Sequence, residues 1–291
     1  MKITLLLTGL LLAGFFSDAQ QPVEDAHQFV KRLTQDSWTR DYPPFRIAGN
    51  LYYVGTDELA CFLITTPEGN ILINTGIAGS EPMIRSHVEA LGFTFRDIKI
   101  LLTTQAHFDH VGAMAAVKAM TGAKFLVQEK DVPVLADGGN SDFDMGGKGA
   151  LFEPVKADGL LHEHDTIRFG GMQIVALHHP GHTKGACSYL FDVKDEHRVY
   201  RVLIANMPSI LEETQPGMAA YPNVAEDYAY TFSVMKDLRF DIWLASHTSQ
   251  FGLHEKHQPG DPYRPEAFID QQGYDSALSD LKTAFLKKVS R

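Results

Sequence analysis

Gln105-Ala106-His107-Phe108-Asp109-His110 follows directly on an apolar and β-branched run from Ile98 to Thr104, in which Lys99 is the one charged residue. Such a run reads as a buried strand with the polar cluster on the loop at its C-terminal end, and loops in that place are where sites are built. His107, Asp109 and His110 offer the nitrogen and oxygen donors that a zinc-type ion takes. A loop can converge donors that a strand would point to opposite faces. The ordinary alternative, a solvated polar turn, suits a lone histidine better than H-x-D-H after a buried strand.

The elements that must position this cluster recur along the chain. Residues 51–54, 61–65 and 70–73 are strand-like, with Pro67-Glu68-Gly69-Asn70 as a turn, and read as an antiparallel meander. Ser80 is placed to cap a helix that carries Pro82 in its first turn and ends at Gly92. His87 on its apolar stripe reads as a half-buried packing residue. A helix over 111–120 and a strand over 123–127 follow, and then a glycine-rich stretch, 137–149. That stretch lacks the G-K-[ST] ending of a phosphate loop, so it reads as a mobile surface loop flanking the site. Later strands repeat the first pattern: 172–177 delivers His178-His179-Pro180-Gly181-His182, 201–205 delivers Asn206-Met207-Pro208-Ser209, and 241–245 delivers Ser246-His247. Helices are expected over 223–238 and 276–289. Two sheets, each backed by helices, account for this order. If the strand ends meet at one rim, His107, Asp109, His110, His182 and His247 suffice for two metal ions. Six of the thirteen histidines, His27, His162, His164, His197, His254 and His257, have the blander reading of solvated residues, and one of His178 and His179 must be buried by strand alternation, as a hydrogen-bonded core residue rather than a ligand.

The 291 residues, 44% of them hydrophobic, are ample for a core. A net charge of −10, from 36 acidic and 26 basic residues, argues against a nucleic-acid partner, which needs a basic face. Lys2, the apolar run Ile3 to Phe16, and the small residues Ser17 and Ala19 match a cleavable export signal, residues 1–19, with 20–291 as a single domain. The expectation is a periplasmic monomer, off the membrane once the signal is cleaved. Cys61 and Cys187 both lie in apolar strand-like runs, which favours free thiols over a disulfide.

The loop of residues 105–110, the segment His179-Pro180-Gly181-His182-Thr183-Lys184-Gly185 and Ala245-Ser246-His247 together resemble the metallo-β-lactamase superfamily. The resemblance runs from about Phe45 to the C-terminus. The superfamily's first motif reads H-x-H-x-D-H, and here its first position is Gln105. That exchange and residues 44–50 resemble subclass B3, its GOB-type branch in particular. The resemblance implies an α/β fold, an αββα sandwich of two mixed β-sheets flanked by helices, with metals at the rim between the sheets. It implies one zinc held by Gln105, His107 and His182, a second by Asp109, His110 and His247, a catalytic part for Asp109, and Ser209 as a contact for the substrate carboxylate. Asn74 stands where the superfamily usually has aspartate, which weakens the expected orientation of a ligand, and Met207 where relatives often place a serine.

The implied activity is hydrolysis of a small-molecule β-lactam and hence resistance to it. Zinc acidifies a bound water to a pKa near ~7, so that hydroxide opens the ring without a serine nucleophile. Because an amide oxygen is a poorer zinc donor than an imidazole nitrogen, the Gln105 site is expected to be the weaker. S-x-x-K occurs twice, at Ser233 and Ser279, without the partner motifs of the serine enzymes. Rival readings are another hydrolase of the same fold, a thioesterase or lactonase, and a periplasmic zinc-binding protein without catalysis. The first kind of relative usually carries a metal-bridging aspartate where Asn206 stands.

Overall fold

Strands that are apolar at every position need cover on both faces, and in this chain they form two sheets that share one core. The computed structural model describes residues 24–212 and 214–290; the segment read as an export signal lies outside them. The first sheet runs in chain order: β1 (Phe45–Ala48), β2 (Leu51–Tyr53), β3 (Phe62–Thr66), β4 (Gly69–Ile73), β5 (Ile98–Leu102), β6 (Lys124–Gln128) and β7 (Gly159–Leu161). Its first four strands pair antiparallel, as the meander predicts, and β4 to β7 pair parallel. The second sheet takes β8 (Thr166–Phe169), β9 (Met172–His178), β10 (Cys187–Lys194), β11 (Val199–Ala205) and β12 (Ile242–Ala245) in the order 12-11-10-9-8. Only β11 and β12 are parallel there. Both sheets are mixed, as expected.

The helices are α1 (Ala26–Leu33), α2 (Glu81–Ala90), α3 (Phe108–Val111), α4 (Met114–Thr121), α5 (Val132–Ala136), α6 (Val224–Met235), α7 (Thr248–Phe251), α8 (Leu253–Lys256) and α9 (Gln271–Val289). Alternation along the strands divides the apolar side chains between two clusters. Ile71 and Ile73 of β4 and Ile100 and Leu102 of β5 join Ile174, Tyr189 and Ile204 of the second sheet. Leu72 and Leu101 turn the other way, onto Ile84 and Val88 of α2 and Met114 and Val117 of α4. Trp243 of β12 meets Tyr274 of α9 with ring centroids 5.4 Å apart. Each such side chain contributes roughly 1.5–3 kcal/mol by leaving water. The layers are therefore helix, sheet, sheet, helix.

Four local expectations change. Ser80 makes no side-chain cap to α2, although Pro82 lies in its first turn as expected. The helix expected over 111–120 is split, and its first turn, α3, begins at Phe108 because His107 O takes the N–H groups of both His110 and Val111. Asp109 and His110 thus ride on a helical turn rather than an open loop. The C-terminal helix starts early, at Gln271, because the Asp270 side chain accepts from Gly273 N. The stretch 137–149 is a surface loop with a packed base: Asn140, Ser141, Gly147 and Gly149 are exposed, while Gly138 has φ 69°, its carbonyl takes Leu151 N, and a Cβ there would lie 2.4 Å from Phe152 O. Cys61 and Cys187 are buried and free. Among the described residues no helix is long and apolar enough to cross a membrane.

Candidate metal centre

Parallel pairing sets strand ends side by side. β5 is followed by Gln105 to His110, β9 by His182, β11 by Ser209 and β12 by His247, and the two sheets are stitched together where these segments leave them. Thr104 O accepts from Cys187 N and Asn206 Nδ2, both at 2.8 Å. Thr104 Oγ1 lies 2.8 Å from Ser246 Oγ, and Ser246 O accepts from Ala60 N. Asn74, in the left-handed region at φ 64°, accepts Thr104 N on its Oδ1. Its part is to hold the loop's backbone. Thr75 N donates to His110 O, fixing α3 from below.

All six donors expected from the sequence lie at this rim or on the loop that enters it. Asp109 Oδ2 is 3.1 Å from His110 Nε2 and 3.3 Å from His247 Nε2. Donors bound to one tetrahedral ion at roughly 2.0–2.1 Å stand about 3.3 Å from each other, so the spacing fits a shared zinc. These three are the group of ionisable side chains whose donor atoms converge most clearly among the described residues. His107 and His182 pack edge to face, with centroids 4.9 Å apart. Gln105 is buried, and its Oε1, like His107 Nε2 and His110 Nε2, has no hydrogen-bond partner. Buried polar atoms without partners are costly unless something binds them, and a metal ion in each set would satisfy the amide oxygen of Gln105 in one and the bare imidazole nitrogen of His110 in the other.

The electrostatics also call for a cation. Burial opposes a proton on His247, yet the carboxylates of Asp109 and Glu58 on either side of the ring win and lift it to about 9. Burial likewise opposes a proton on His107, and the Asp142 charge overrides it, again to about 9. Burial would raise Asp109, but the neighbouring His110 and His247 hold its carboxyl well below the usual range. Burial, with the His107 charge beside it, pushes His182 down to about 3. Buried carboxylates thus draw protons onto the rings, and a divalent cation would supply that charge instead.

The sequence profile of the metallo-beta-lactamase superfamily matches residues 55–195. Among solved structures, a beta-lactamase from Chitinophaga pinensis is 61% identical, covering 89% of this chain and 98% of that one, with a TM-score of 0.88. The chain belongs to the metallo-beta-lactamase superfamily. Its branch is class B3. The class B3 di-zinc metallo-beta-lactamase LRA-12 from an Alaskan soil metagenome is 56% identical, over 88% of this chain and 98% of that one, with a TM-score of 0.87. GOB-18 from Elizabethkingia meningoseptica is 55% identical, over 88% and 95%, also at 0.87, which fits the GOB-type branch. Matches to curated relatives are shorter: the chain spans 58% of a probable metallo-hydrolase from Methanocaldococcus jannaschii and 42% of a hydroxyacylglutathione hydrolase from Bradyrhizobium.

Within this family fold the supports of the donors escaped the sequence. Asp131, at the N-terminus of α5, takes Ala106 N and Thr183 Oγ1 on Oδ2 and Gly185 N on Oδ1, tying the loop of His107 to the loop of His182. Glu58 places Oε1 3.4 Å from His247 Nδ1. Trp38, on the arm before β1, sets its ring 5.9 Å from Phe108 and 6.2 Å from His247. Ser209 holds His182 twice: its carbonyl accepts the Nδ1 proton at 2.8 Å, and its hydroxyl lies 3.1 Å from the same nitrogen. His87 is buried rather than half-buried, with Nε2 2.7 Å from Asp41 Oδ1.

His179 is the buried member of its pair. Its Nδ1 is 2.7 Å from Ser188 Oγ, which itself accepts Asn206 N. Burial lowers His179 to about 3 from an ordinary 6.5. Because the folded pKa is depressed, the unfolded chain binds this proton first, and stability falls as pH drops from about 6.5 toward 3, on this account by a few kcal/mol. Urea midpoints measured across that range should fall less steeply for His179→Gln than for the wild type; parallel curves would exclude His179 as a source of the acid sensitivity.

Proposed function

We propose that the protein opens β-lactam rings by zinc-dependent hydrolysis. The observation that carries this reading is the convergence of Asp109 Oδ2, His110 Nε2 and His247 Nε2 at the rim of a class B3 fold. Asp109, His110 and His247 would hold one zinc and Gln105, His107 and His182 the other, where the metal supplies an acidified water and polarises the lactam carbonyl. Asp109, with Oδ2 towards the two imidazoles, would leave Oδ1 to orient the attacking water, and the rings of Trp38 and Phe108 pack together beside His247 on that side of the centre. Ser209, at the rim beside His182, is the proposed contact for the substrate carboxylate. Asn206 offers no bridging carboxylate: its Nδ2 is spent on Thr104 O, which supports this reading over a same-fold thioesterase or lactonase. Residues 1–19 are proposed to direct export to the periplasm.

Hydrolysis of a chromogenic cephalosporin that disappears with a chelator and returns with zinc is the expected result. Zinc binding without turnover would leave the non-catalytic reading standing, and turnover indifferent to chelation would sink both.

The two sites are proposed to differ in strength. A neutral amide oxygen binds zinc less well than imidazole, so the protein should carry a full Asp109/His110/His247 site and a partly filled Gln105 site. Gln105→His should tighten the weaker site by about tenfold or more, roughly 1.4 kcal/mol, in a zinc titration of the metal-free protein. Two steps of equal affinity in the wild type would contradict it.

A further inference from the structure

We infer that Asp142 is a positioning residue for His107, the carboxylate that fixes which ring nitrogen faces the weaker metal site; this rests on the function proposed above. Asp142 lies in the glycine-rich loop, yet its side chain is only 3% exposed and that of His107 2%. Its two oxygens are divided. Oδ1 accepts the backbone N–H groups of Asp144 at 2.9 Å and Met145 at 2.7 Å, which fixes the carboxylate to its own loop. Oδ2 stands 3.4 Å from His107 Nε2, a charge contact rather than a hydrogen bond, which a proton on Nε2 would tighten. With Nε2 turned to a carboxylate, Nδ1 is the nitrogen left for an ion.

The second site has the same arrangement with the nitrogens exchanged. Glu58 faces Nδ1 of His247, and Nε2 of that ring points to Asp109. A carboxylate behind a ligating imidazole fixes its tautomer and raises its basicity, with an effect of 10–100-fold on affinity. In the Gln105 set the other donors lack this help. Gln105 offers a neutral amide, and His182 is backed by the Ser209 carbonyl, a neutral acceptor. Asp142 is therefore the charge on which that site's strength depends.

The loop is held so that Asp142 stays in place. Phe143 packs edge-on against Tyr221 with centroids 5.0 Å apart, and Lys148 O accepts Ala26 N from α1.

Asp142→Asn retains an oxygen for the two loop N–H groups and removes the charge facing His107. Metal-free wild type, Asp142→Asn and Asp142→Ala would be titrated with cobalt, read by the visible ligand-field bands, and with zinc in competition with a chromophoric chelator. Thermal melting of each metal-free protein reports on folding. In Asp142→Asn the weaker step should fall about 10–100-fold and the stronger step stay within about threefold, with melting unchanged. Glu58→Gln should do the reverse, weakening the stronger step. The inference is overturned if both Asp142 variants bind as the wild type does, if both steps weaken alike, or if the wild type binds a single ion with an affinity that Asp142→Asn leaves unchanged. A wild type that takes up neither metal overturns the proposed function itself, whereas failure confined to the Asp142 variants leaves it intact.

Discussion

Asp131→Asn is expected to lower stability by about 3 kcal/mol and to weaken metal binding at the Gln105 site, although residue 131 is not among the donors. Its carboxylate serves three buried donors from two directions: Ala106 N and Thr183 Oγ1 meet Oδ2 at 3.0 and 2.9 Å, and Gly185 N meets Oδ1 at 2.7 Å. An asparagine has one acceptor oxygen and one NH2, so whichever way it turns, a buried N–H faces another N–H, at a cost of roughly 1–3 kcal/mol per unmet group beyond the lost charge-assisted bonds. The side chain has no room to swing away, since Gly185 packs so closely that a Cβ on it would be 2.6 Å from Asp131 Cγ. Ala106 lies between Gln105 and His107, and Thr183 directly follows His182, so the loosened segments are those that carry the proposed Gln105 site. Urea unfolding and metal content of the purified variant check this. Stability within about 1 kcal/mol of the wild type would show that asparagine satisfies all three donors.

Asp109→Asn is expected to reduce kcat/KM for a β-lactam by about 10³-fold, on the order of 4 kcal/mol of transition-state stabilisation. The carboxylate is the one anion in its set. It stands between two imidazoles whose ring centroids are 5.0 Å apart, and both neighbours hold it ionised. Asparagine fills the same space and would leave the proposed Asp109/His110/His247 site with neutral donors alone. It also removes the carboxylate oxygen that would orient the attacking water. Kinetics at saturating zinc, with a metal count on the same sample, separate the losses: full occupancy with low turnover assigns the effect to water orientation, and low occupancy assigns it to binding. A decrease of less than about tenfold would refute a catalytic part for Asp109.

The donors were legible and their supports were not, for a physical reason. Ile98 to Leu102 and Ile242 to Ala245 are short apolar runs whose character is local, and the residues that follow each run announce their chemistry by type. Asp131 reaches Ala106 across 25 positions and Thr183 across 52, and no local period encodes such a contact. Asp142 was hidden differently. Its glycines suggested an exposed loop, yet Gly138 is there because the chain must pass within contact of the Phe152 carbonyl. Alternation could say that one of His178 and His179 is buried but not which, because β9 ends at His178 and the period stops there.

The stitching of the two sheets through Thr104, Ser246 and Asn206 bears on how the chain comes to hold metal at all. Each proposed set draws two donors from the half of the chain that builds the first sheet, and its third, His182 or His247, from the half that builds the second. Neither half alone offers a complete set, so an ion is gripped in full only after the halves have docked. With the proposed sets, zinc would act as a latch on tertiary assembly. It would favour the docked state over every looser one by RT ln(1 + [Zn]/Kd), and the free metal concentration of the surroundings would become a determinant of how stable the folded chain is.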